Sequence, residues 1–160
     1  MDEARFGVNS KLMRVWAPKG TKPLMKTNCS RKGISVTGAY DEYGEFTFQF
    51  SDKNNGLEFI EFLKCLMEKY ENFILIPDNA PIHKAGIVKK FAEENKDKFE
   101  ILYLPTYSPE MNATEECWRQ VRLNLTNNRY FSGLDDLKAS LATFFGEHKF
   151  RHDLCVYLGR

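Results

Sequence analysis

A chain of 160 residues, 42% hydrophobic and 28% charged, has the composition of one ordinary folded domain long enough to bury a single core. No apolar run approaches the roughly 20 residues that span a bilayer, no secretory leader opens the chain, and the four cysteines (Cys29, Cys65, Cys117, Cys155) form no C-x-x-C pair. These features exclude a membrane span, a disulfide frame and a zinc knuckle, and point to a cytoplasmic protein with reduced thiols. Net charge is only +1, yet residues 1–40 hold eight Lys or Arg against Asp2 and Glu3, a net of +6, and the remainder is acidic. A basic half beside an acidic half fits a polyanion surface next to a carboxylate site, and also fits a solvated lysine-rich loop.

Residues 2–8 alternate, with Ala4, Phe6 and Val8 on one side, as a half-buried strand does. Pro and Gly punctuate 14–23 as a turn-rich connection. Residues 34–39 and 45–50 read as two strands joined by a hairpin at Asp41-Glu-Tyr-Gly44, completing an antiparallel meander. A helix is predicted over 56–70, with Leu57, Ile60, Leu63 and Met67 in a wide apolar stripe flanked by Phe59, Phe62 and Leu66. Phe73 to Ile76 and Phe99 to Leu104 read as strands buried on both faces. Between them a helix starts near Pro81 and runs to about Asn95. Two more helices, from Asn112 to about Asn124 and from Ser132 to about Glu147, close the order. Three antiparallel strands followed by helix, strand, helix, strand, helix imply an α/β fold of ribonuclease H-like type. Its expected form is a mixed sheet, meander plus parallel strands, with helices on both faces.

Two carboxylates stand where the parallel strands emerge. Asp78 follows the first, and Asp-Asn before Ala-Pro is also plain turn chemistry. Glu115 lies early in the next helix, where Asn112-Ala-Thr-Glu115 also resembles a capping box. Glu116 is its neighbour, about 100° round the helix. Phosphodiester chemistry with hard divalent cations needs oxygen ligands converging from separate elements, so a third carboxylate is required. Asp2 is by itself only an acidic residue at a chain terminus, and such residues are commonly just solvated.

Four blocks stand in order: Asp2-Glu-Ala-Arg-Phe, Arg14-Val-Trp-Ala-Pro-Lys-Gly20, Asp78-Asn-Ala-Pro-Ile-His83, and the run from Leu104 through Ser-Pro-Glu-Met-Asn112 to Glu115-Glu-Cys-Trp118. Together they resemble the catalytic domain of mariner-like DDE transposases, closest to the prokaryotic insertion-sequence branch. The resemblance covers nearly the whole chain and implies one catalytic domain over 1–160. It carries an Asp, Asp, Glu triad onto Asp2, Asp78 and Glu115, with 36 residues between the last two. Ala113 stands where the family usually has proline, and no helix-turn-helix region precedes Asp2 in the sequence.

The resemblance implies an enzyme that uses Mg²⁺, with Mn²⁺ as substitute and two ions expected. It would cleave DNA strands at transposon ends and transfer them to target DNA. Double-stranded DNA is the implied partner, a homodimer the implied assembly, and the nucleoid of a prokaryotic cytoplasm the implied place. Lys19, His83, Lys84, Arg119 and Arg122 are candidate DNA contacts. His83 reads equally as a capping or packing residue, the arginines as solvated, and Trp118 as core. Two alternatives remain open: another ribonuclease H-like nuclease, or a catalytically silent DNA-binding or dimerisation remnant. His148 and His152 would share a helix face if the last helix continued, without a convincing third zinc ligand.

Overall fold

The computed structural model of the chain describes residues 1–9, 11–106 and 108–151. The predicted meander forms as read: β1 (Asp2–Gly7), β2 (Gly33–Tyr40) and β3 (Phe46–Ser51) pair antiparallel in the order β1-β2-β3. At the β2–β3 hairpin Asp41 Oδ1 accepts from the amides of Tyr43 and Glu45, and Gly44 turns the chain at φ +84°. That left-handed conformation favours glycine. Between β1 and β2 residues 11–32 make a long excursion without helix or strand, fastened by Asn128, which exchanges two hydrogen bonds with the backbone of Met13.

Helix α1 (Gly56–Lys69) starts at Asn55, whose side chain accepts from the amides of Leu57 and Glu58. It buries Phe59, Ile60, Phe62, Leu63 and Leu66, while Leu57, assigned to its apolar stripe from spacing, is 65% exposed. β4 (Phe73–Leu75) and β5 (Phe99–Ile101) pair in parallel. They are shorter than expected and not covered on both faces. Phe73 and Leu75 join a core with α1, Val88 and Phe99, but Ile74 and Leu102 point to solvent. A continuous apolar run therefore reported strand here without reporting two-sided burial.

The helix expected from Pro81 is divided into a 3-10 turn (Pro81–Lys84) and α2 (Gly86–Glu94), separated by Ala85 with ψ 145°. Helices α3 (Ala113–Val121) and α4 (Leu134–Glu147) match their predicted positions, and α3 runs on into a single π-helical stretch, Arg122–Thr126. Because α4 ends at Glu147, His148 does not continue it, and His152 lies outside the described residues.

Two hydrophobic clusters fill the two sides of the meander. Ala4, Phe6, Val8, Ile34 and Val36 pack on Trp118, Val121, Leu137, Leu141 and Phe145 of α3 and α4. Met1 joins the cluster under α1 and α2, to which Ala39 packs from β2. The architecture is thus the ribonuclease H-like α/β arrangement, with helices on both faces. Its strands form two ladders, a three-stranded and a two-stranded one, and at their seam the Met1 amino group donates to Ile76 O at 2.9 Å. Among the described residues no helix is long and apolar enough to cross a membrane.

Candidate active site

Strand periodicity decides what each residue of the Asp2-Glu3 pair can reach, because neighbours point to opposite faces. Asp2 shares its face with Ala4 and Phe6 and so looks toward α3. In the sheet register it lies opposite Gly38, and Gly38 has no Cβ to keep α3 away. A Cβ there would come within 2.7 Å of the Trp118 ring and 2.5 Å of Phe46. This close approach lets the buried Trp118 indole N–H donate to Asp2 Oδ2 at 3.0 Å. Trp118 is core, as its spacing suggested, and its polar edge also orients a candidate ligand.

The start of α3 is tied to the same strand. Asn112 Oδ1 caps the helix through the Thr114 amide at 3.2 Å, and Asn112 Nδ2 donates to Met1 O at 3.4 Å. Glu115, exposed on the first turn, is thereby carried toward Asp2. The capping box expected from sequence takes another form: Asn112 caps through Thr114, and the Glu115 amide donates to the Asn112 carbonyl. Burial first, and then the negative charge of Glu115, raise the Asp2 pKa to about 7 against the hydrogen bond from the Glu3 backbone. Asp2 therefore senses the charge of Glu115.

Asp78 stands beyond β4, with its side chain 46% exposed. Its Oδ1 accepts from the Ala80 amide at 2.9 Å, an Asx turn of the kind that Asp-Asn invites. Asn79 Nδ2 donates to Leu104 O, and Leu104 N donates to Pro77 O, so the two strand exits are stitched together.

His83 corrects an expectation. Its ring is completely buried, against Phe59, and presents nothing to a DNA phosphate. Nε2 lies 2.9 Å from Glu3 Oε1, and Nδ1 lies 3.2 Å from Asp78 O. Asp78 Oδ1 is 2.9 Å from the same Nδ1, but the N–H is aligned on the carbonyl, and we read the carboxylate as a charge contact off that axis. Burial opposes a charged ring, but the hydrogen bond and charge of Glu3, then those of Asp78, outweigh it and raise the His83 pKa. Glu3 is the residue that motif reading passed over. The available signal was strand alternation, which sends Glu3 to the α1 side.

The remaining candidates divide. Glu116 is engaged within its own helix: it accepts twice from Arg119 at 2.6 Å and once from Gln120. That pairing offsets the charge of Arg119. Arg122 is exposed with its guanidinium 5.7 Å from the Phe6 ring centre, Lys84 lies 4.9 Å from that of Tyr103, and Lys19 is exposed on the β1–β2 excursion. A cleft of about 590 Å³ gathers Lys11, Glu115, Arg119 and Arg122. A larger one of about 1060 Å³ lies against Ile74, Leu102 and Met1, and none of the three carboxylates lines it.

Among the described residues no three of His, Cys, Asp and Glu stand together as a ready-made metal cage. Like charges resist convergence, and the charge of Glu115 adds to the rise in Asp2 pKa that burial chiefly causes. The donor chemistry nevertheless suits a hard cation. All three are carboxylates: Trp118 donates to Asp2 Oδ2, the Ala80 amide to Asp78 Oδ1, and Glu115 is exposed.

Comparison with known proteins gives a consistent result. The chain is 27% identical over 147 residues to the insertion element IS630 39 kDa protein of Shigella sonnei, covering 89% of this chain and 43% of that protein. Its fold is similar to that of the Mos1 mariner paired-end complex with Mn, with TM-score 0.69 at 16% identity over 99% of this chain and 50% of the other. The catalytic domain of Mos1 mariner transposase aligns at TM-score 0.58 and 17% identity over 85% of this chain and 71% of that one. The chain thus spans about half the length of the first two. The sequence profile of one family matches residues 1–138, from β1 into α4, and by that match the chain belongs to the DDE superfamily endonucleases.

Proposed function

We propose that this chain is the catalytic domain of a transposase, cutting DNA strands at transposon ends and joining them to target DNA. The observation that carries the reading is the pairing of Asp2 with Glu115 through Gly38 and Trp118, with Asp78 held at the neighbouring strand exit. Asp2, Asp78 and Glu115 would together hold Mg²⁺, or Mn²⁺ in its place, as two ions. Such ions supply Lewis-acid polarisation of the phosphate and activation of the attacking oxygen. Trp118 orients Asp2, the Asx turn orients Asp78, and the Asn112 tether sets where Glu115 enters.

In the first step water attacks phosphorus and the P–O3′ bond breaks, leaving a 3′ hydroxyl and a 5′ phosphate. That hydroxyl then attacks a target phosphodiester, at a TA dinucleotide by family resemblance, and displaces a second 3′ oxygen. No protein nucleophile takes part. Burial pushes the Cys117 thiol far up and keeps it protonated, which accords with this. Arg122, Lys84 and Lys19 are the proposed phosphate contacts, double-stranded DNA the partner, and a pair of chains the working assembly.

Nicking of supercoiled plasmid in Mn²⁺ tests the proposal. The chain should nick, and Asp78→Ala should lower the rate by on the order of 100-fold or more. Equal nicking by both proteins would overturn it.

A further inference from the structure

The trio Glu3, His83 and Asp78 lies partly outside the proposed ligand set, and its geometry is that of a brace. Glu3 belongs to β1, Asp78 to the exit of β4, and His83 to the turn between them and α2. The two ring nitrogens face opposite ways, each onto oxygen: Glu3 Oε1 at 2.9 Å on one side, Asp78 O at 3.2 Å and Asp78 Oδ1 at 2.9 Å on the other. Such a chain cannot enclose one ion, and the completely buried ring cannot reach a substrate.

Its ring and its backbone are both held. Phe59 packs on it with centroids 4.6 Å apart, and Tyr103 OH donates to the His83 carbonyl at 2.9 Å. The Glu3 side chain is itself only 11% exposed, so its carboxylate is committed to this contact. Asp2 and Glu3 are adjacent on one strand, and holding Glu3 therefore also holds the backbone that carries Asp2.

We propose that His83 is a positioning residue. Anchored on Glu3, it grips the carbonyl and inner carboxylate oxygen of Asp78, turning the outer oxygen to the crevice at a set distance from β1. The proposal rests on Asp78 being a cation ligand. It assigns Glu3 and His83 the task of fixing the spacing between the first two carboxylates before any cation arrives. Outer partners of metal ligands characteristically set affinity through such orientation.

The test is Mn²⁺ binding to the whole chain, read by loss of the free-ion signal in electron paramagnetic resonance, beside thermal melting. His83→Gln should weaken binding roughly tenfold while the protein still melts cooperatively. Glu3→Gln, which keeps shape and removes charge, should shift binding in the same direction by less. Glu116→Gln, outside the brace, should bind as the wild type does. Should His83→Gln fail to fold, Glu3→Gln decides alone. Wild-type affinity in a folded His83→Gln, or in Glu3→Gln, overturns the brace provided that Asp78→Asn has lost affinity. If Asp78→Asn also binds normally, the cation-ligand reading of Asp78 falls and takes the brace with it.

Discussion

Asp2 is the carboxylate whose ionisation the fold most opposes, and the consequence is a pH dependence of stability. Its pKa rises from 3.8 to about 7 through burial and then through Glu115. Between those values the native chain keeps a proton that the unfolded chain has released. The stability linked to Asp2 is therefore fully present below pH 3.8 and lost as pH rises through about 7, with a slope up to about 1.4 kcal/mol per pH unit. Asp2→Asn, neutral throughout, should lack this loss. Urea denaturation of both proteins from pH 4 to 8 without divalent cations should show the variant gaining on the wild type as pH rises. A constant difference would contradict the assignment. The Met1 amino group, lowered to about 6 mainly by burial, acts in the opposite sense between about 6 and 8 and largely cancels in that difference. A cation at the crevice would replace the proton on Asp2, so its affinity should rise over the same interval.

At the scale of elements, the decisive contact is α3 on the meander. Helix spacing places Glu115 and Trp118 one turn apart, so seating Trp118 on Gly38 automatically brings Glu115 to the rung of Asp2. Gly38 is therefore a spacer. Gly38→Ala would set a methyl group 2.5 Å from the Phe46 ring and 2.7 Å from Trp118, so one of the rings must shift. Overpacking of this kind costs about 1–3 kcal/mol. Chemical denaturation should show that loss, and Mn²⁺ affinity should fall with it because Asp2 loses its indole donor. The same construction explains why Asn112 and Trp118 behave as more than a cap and a core residue. Each is structural by type and reaches the Met1–Asp2 backbone or side chain through its one polar group.

Across the whole molecule, positive charge gathers on one segment. Residues 11–32 carry seven Lys or Arg and no acidic residue, and most of the excursion is exposed, including Trp16. Asp2 and Asp78 lie at strand ends and Glu115 on the first turn of α3, where Lys11 lines the same cleft, so the excursion sets a cationic surface beside the carboxylates. DNA held by this surface should dissociate steeply with salt. Replacing Lys19 and Lys22 by Gln should reduce the slope of log affinity against log salt by roughly 1 per lysine, whatever the DNA sequence. Fluorescence anisotropy with a labelled duplex measures it, and an unchanged slope would place the DNA elsewhere on the protein.

Alternation and helical spacing sufficed for the order of elements, the meander and the starts of α1 and α3, because these depend on neighbours along the chain. Asp78 and Glu115 were legible after the parallel strands, and Asp2 and the family through the resemblance of motif blocks. Burial was less legible. The run Phe73–Ile76 is apolar throughout, yet only the packing of α1 and α2 decides which face is covered and leaves Ile74 outside. The helix after Asp78 broke where spacing ran straight through, because His83 turns inward to Glu3 and Asp78 from a tight 3-10 turn. His83 itself passed from a possible DNA contact to a buried brace, and Glu3 from an unremarked neighbour to its anchor. Those roles depend on contacts 80 and 5 residues distant in the chain, and the more distant of them, to Glu3, closes only when β1 is brought against the turn after β4. Sequence determined which groups could do the chemistry; tertiary structure decided which of them face the crevice, because orientation and burial belong to packed surfaces and not to positions along a chain.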